Sequence, residues 1–139
     1  MKKKIALISL ILILVLSLTT VANAAMYSSA YISDCAAQMA RSSKDKVILS
    51  FDIKGKETMD VIGAQTIIFQ EKAPGSTQWT SVATVTSDNN ANMLAYNTRW
   101  HTTDVSYSGA KSGYSYRAKI YFYAEKGGYD TKEYITSAV

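Results

Sequence analysis

The chain of 139 residues contains one cysteine, one proline and one histidine. A single cysteine closes no internal disulfide, so no disulfide framework holds this fold together. One cysteine and one histidine, without carboxylates grouped around them, build no zinc site, and no metal or other cofactor is expected. With one proline and seven glycines there is no linker and no low-complexity tract. Catalytic signals are scarce as well. His101 has Asp104 three residues on, and serines are plentiful, but no glycine-flanked serine elbow or oxyanion motif marks a nucleophile. The carboxylates stand singly, so a glycosidase pair has no support. These absences argue against an enzyme, and the alternative of a hydrolase using His101 rests on that residue alone.

What is present begins with a leader. Lys2-Lys3-Lys4 forms a basic start, Ile5 to Leu18 an apolar run, and Ala22-Asn23-Ala24 a small-x-small cleavage pattern. The run is 14 residues long, short of the roughly 20 that a spanning helix requires. Residues 1–24 therefore read as a signal peptide, and residues 25–139 as one secreted, extracellular domain. Membrane contact is expected only through the leader before cleavage. Lys+Arg number 15 against 11 Asp+Glu, but three of the 15 are the leader lysines, leaving 12 against 11 and a net charge of +1. The apparent basicity is an export signal, so nucleic acid is not an expected partner.

Alternation governs the remainder. Val47, Leu49, Phe51 and Ile53 alternate with Ser50, Asp52 and Lys54, the clearest half-buried strand in the chain. The segment 34–41 reads as strand or as a short helix capped by Asp34, and the turn and clear strand that come after it favour strand. Cys35 reads as a small buried residue of that first strand; an intermolecular disulfide through it is the sharper alternative, and a monomer is expected. Turns are expected at Ser42–Asp45, Gly55–Thr58, Lys72–Ser76 and Ser87–Asn90. Further strands are expected over Val61–Gln70, Trp79–Thr86 and Met93–Thr102. Finally, Tyr116, Ala118, Ile120, Phe122 and Ala124 alternate with Arg117, Lys119, Tyr121, Tyr123 and Glu125, and Lys126-Gly127-Gly128-Tyr129 turns the chain into a return strand. Seven short strands without a helical period predict an all-β, antiparallel two-sheet sandwich, with a closed barrel as the alternative. Leu49, Phe51, Ile67, Phe69, Ile120 and Phe122 are its expected core.

Gly113-Tyr114-Ser115-Tyr116-Arg117 ahead of an alternating strand resembles the entry to the sixth strand of immunoglobulin-like and fibronectin type III domains. The resemblance implies that Tyr116, or else Tyr114, anchors the preceding loop. Together with the lysine-led leader, Phe69-Gln70-Glu71-Lys72 and Trp79-Thr80-Ser81-Val82, it is similar to the small secreted immunoglobulin-like proteins of Gram-positive bacteria, a family largely without assigned function. Two features depart from that pattern. Gln65 stands where an apolar inward residue belongs, which leaves the register of the third strand open, and the inter-sheet cysteine pair is absent.

Ten tyrosines and two tryptophans are the richest material for a site. Arg117, Lys119, Tyr121 and Tyr123 share the polar face of one strand, and Tyr134 is expected to join them across the hairpin. Flat rings supply large contact area at low entropy cost, so this set is the candidate surface for a cell-surface protein or glycan. The bland alternative is that tyrosine is simply a good strand residue. A third possibility is a structural, envelope-associated protein without a specific ligand.

Overall fold

A computed structural model describes residues 29–139, so the expected signal peptide, residues 1–24, lies outside the described residues. The fold is all-β and antiparallel: six strands form one continuous sheet, curled into a half-barrel. The strands are β1 (Ile32–Ser43), β2 (Lys46–Lys72), β3 (Thr80–Thr86), β4 (Leu94–Tyr107), β5 (Ser115–Glu125) and β6 (Tyr129–Ile135). A 3-10 turn, Ala91–Met93, leads into β4.

β2 organises everything else. It is 27 residues long, which at about 3.3 Å per residue would extend some 90 Å if straight. No domain of this size has such a diameter, so the strand must coil. Its first half pairs with β1 on one edge and β4 on the other. Its second half pairs with β5 on one edge and β3 on the other, and β6 is added outside β5. The coil turns the two halves toward each other, so that Phe51 of the first half meets Phe122 edge-on at 5.6 Å.

The strand segments expected at Val47–Lys54 and Val61–Gln70 are thus one strand, which is why six strands appear and not seven. Gly55–Thr58 does not reverse the chain. Between the pairs Lys54–Trp100 and Met59–Thr98, these four residues bulge opposite Arg99 alone. Arg99 Nε donates to Gly55 O at 3.3 Å and Lys56 N to Tyr31 O at 2.8 Å, so the bulged backbone keeps partners on both sides. A second irregularity falls at Gln65, where the pairing with β5 slips between Ala64 and Thr66. Gln65 is squeezed outward and exposed, which lets Ala64 and Ile67 both face the core despite their odd spacing. The open register of this strand is thereby explained.

Segment 34–41 is strand throughout, and Cys35 is buried opposite Ile53. The whole expected core is buried: Leu49, Phe51, Ile67, Phe69, Ile120 and Phe122 are each at most 2% exposed. Tyr107, at the end of β4, stacks on Phe69 at 5.7 Å and sits 6.2 Å from Tyr116, closing one end of the core. At the bend, Gly63 is needed for close approach. A Cβ there would stand 2.0 Å from Met93 O and 2.9 Å from Leu94 Cα, backbone atoms that cannot swing aside.

Candidate functional site

The outward face of the second half of the sheet presents the candidate residues. β5 alternates strictly, with Tyr116, Ala118, Ile120, Phe122 and Ala124 buried and Arg117, Lys119, Tyr121, Tyr123 and Glu125 partly exposed. Four of the five candidates therefore share one outer face. Tyr134 does not. It pairs with Ile120, and its ring meets Phe122 edge-on at 6.2 Å on the core side. The turn causes this. A two-residue Gly127-Gly128 loop would place Tyr134 opposite Tyr121. In the fold the loop is Lys126–Gly128, with Glu125 facing Tyr129, Lys126 N donating to Gly128 O at 2.8 Å and Gly127 at φ 70°. One extra loop residue shifts the register by one and sends every side chain of β6 to the other face.

That same shift brings Tyr129 outward, 68% exposed, where its ring stacks on Tyr123 at 5.9 Å. Tyr96 joins from β4 through the register Tyr96–Val61–Glu125–Tyr129 and is 63% exposed. Neither is expected from the sequence, because Tyr129 reads as part of the turn and Tyr96 belongs to a strand with weak alternation. Ile68, directly opposite Lys119, and the exposed Ile135 add aliphatic surface beside the rings.

The charged groups of this face are held in place. Arg117 Nε donates to Gln70 Oε1 at 2.8 Å, and the guanidinium lies 4.4 Å over the Trp79 ring. Lys72 covers the same indole at 5.0 Å, so Trp79 stays on the surface beneath two cations. Lys119 stands 3.7 Å from Glu133. The Tyr123 hydroxyl donates to the Glu125 carboxylate, and that bond, reinforced by partial burial, pushes the phenol up to about 12. Tyr123, Tyr129, Trp79 and Arg117 are thus held by their neighbours, so part of the rotamer entropy of this surface is already lost before a partner arrives.

Tyr116 is fully buried. Its hydroxyl accepts from Lys111 N at 2.8 Å and donates to Glu71 Oε2 at 3.0 Å, while Lys111 Nζ pairs with Glu71 Oε1 at 2.8 Å. His101 and Asp104, three apart on β4, point to opposite faces of the strand. His101 turns toward the core rim, edge-on to Phe51 at 6.0 Å, with Nε2 at 2.6 Å from Asn92 O. Asp104 is exposed on the outer side opposite Ser50. Among the described residues no cluster of His, Cys, Asp and Glu could hold a metal ion, and no helix is long and apolar enough to cross a membrane. No protein-family model matches the chain, and no curated protein is similar to it.

Proposed function

We propose that the chain is a secreted binding module that docks a cell-surface protein or glycan on the outer face of β5 and its neighbours. The observation that carries this reading is the row of outward rings, Tyr96, Tyr121, Tyr123 and Tyr129, two of them about two-thirds exposed on the sheet. Large aromatics left in water on a sheet surface are what interface anchors consist of before their partner arrives. The basic, apolar and small-residue order of residues 1–24 supports export of the chain.

The immunoglobulin-like kinship belongs to the same proposal. Its support is Tyr116, whose hydroxyl reaches back to the backbone of Lys111, five residues upstream, as a tyrosine corner does. The curled sheet, whose two halves face each other across Phe51 and Phe122, would then take the place of two packed sheets. We further propose that the protein acts as a monomer, with Cys35 serving as a core residue.

An array of cell-surface glycans and proteins, probed with the purified protein, tests the reading. The protein should retain at least one ligand that Tyr121→Ala with Tyr123→Ala loses, whereas His101→Ala should keep it. If the double variant loses no ligand, the rings are strand residues and nothing more.

A further inference from the structure

The first half of the sheet has an outer face of its own, and it is built differently. The register places Ala36, Asp52 and Thr102 in one row and Gln38, Ser50 and Asp104 in the next. The row above them contains Asp34, Lys54 and Trp100. Small residues at Ala36 and Ser50 leave a depression of about 330 Å³, whose lining includes Gln38, Asp52 and Thr102. That volume is at the lower end of ligand pockets. Trp100 lies two residues along β4 from Thr102, so the two side chains leave the same face of the strand one pleat repeat, about 7 Å, apart.

Trp100 is 63% exposed. The other tryptophan, Trp79, is covered by two cations, whereas none of the cation–ring contacts among the described residues involves Trp100. The ion pairs among the described residues use neither Asp52 nor Lys54. A bare indole beside a shallow trough of free acceptors and donors fits one ligand chemistry well. The C–H face of a pyranose ring packs on an aromatic plane, and its hydroxyls donate to carboxylate and amide oxygens. The face carries Asp34, Asp52 and Asp104 against Lys54 and, at the far end of β2, Lys46, so a sugar acid in the trough would meet net repulsion.

We propose that this trough binds a pyranose unit of a neutral polysaccharide, with Trp100 stacking on the ring and Asp52, Gln38 and Thr102 hydrogen-bonding its hydroxyls. The site is separate from the tyrosine face, so the protein would carry two binding surfaces on the two halves of one sheet.

The test titrates the purified protein with cellohexaose, chitohexaose and hexagalacturonate, with tryptophan fluorescence and amide chemical shifts as readouts. At least one neutral hexasaccharide should bind, shifting the Trp100 indole N–H and the Thr102 amide, while hexagalacturonate should bind at least tenfold more weakly. Trp100→Ala should weaken the neutral ligand at least tenfold and Asp52→Ala at least fivefold. Both positions are exposed, and the shift map on the unaltered protein stands independently of either variant. Tyr121→Ala with Tyr123→Ala should change this affinity less than twofold, which separates the trough from the tyrosine face. The proposal is overturned if neither neutral sugar binds, if the shifts fall elsewhere, or if hexagalacturonate binds as tightly.

Discussion

Replacing Tyr116 by phenylalanine removes one oxygen atom from a fully buried site and leaves the ring packing in place. Two bonds disappear with it: the one accepted from Lys111 N and the one donated to the Glu71 carboxylate. A neutral bond contributes about 1 kcal/mol and one to a charged group about 1.5–3 kcal/mol. Glu71 keeps its ion pair with Lys111 Nζ, and the Lys111 backbone lies close enough to the surface to recover a water, so both losses are softened. The expected cost is about 2 kcal/mol, a fall of roughly 10 °C in Tm for a domain of this size. Urea denaturation monitored by circular dichroism measures it, with Tyr114→Phe as the control. The Tyr114 ring is only partly buried, beneath Lys111, so that change should cost under about 0.5 kcal/mol. Equal costs for the two variants, or less than about 0.5 kcal/mol for Tyr116→Phe, would refute the role given to Tyr116.

The same structure sets further outcomes. Phe51→Ala removes a ring packed edge-on against both Phe122 and His101 and should cost about 3–5 kcal/mol in chemical denaturation. Burial pushes the Cys35 thiol up, so a maleimide should not label the native protein, and labelling should appear only with unfolding. The Lys111 ammonium, and then the Tyr116 hydroxyl, hold the Glu71 carboxyl below its ordinary value of 4.5. Its contribution to stability is complete above that pH and disappears as pH falls through the lower folded value. Glu71→Gln should therefore flatten the acid limb of Tm against pH below about 4.5, and an unchanged limb would count against the ion pair.

Alternation makes β5 and the first half of β2 legible, because each has one face that must bury and one that must not. Val47 to Ile53 and Tyr116 to Ala124 need no long-range information. The union of two expected strands into β2 is hidden because Gly55–Thr58 has the composition of a turn. Only the distant pairing of β4 on both sides of that bulge keeps the strand continuous. Gln65 signals an irregularity whose form, a bulge, is set by β5 more than fifty residues away. Parity alone puts four candidates of β5 on the correct face. Tyr134 on the core side and Tyr129 on the outer face share one cause that the sequence does not display: the parity of β6 depends on whether the glycine loop counts two residues or three, and Lys126-Gly127-Gly128-Tyr129 accommodates either. Trp100 and the trough beside it depend on three strands meeting in register, and no single stretch of sequence carries that.

The central claim, that the tyrosine face binds a partner, is tested most directly by one comparison of affinities. A ligand selected from the array would be titrated against the wild-type protein and against Tyr121→Ala with Tyr123→Ala, with the fold of both verified by circular dichroism. Anchoring rings contribute on the order of 1–2 kcal/mol each, so the double variant should bind at least about thirtyfold more weakly. An affinity within twofold of wild type, in a variant that remains folded, would contradict the claim.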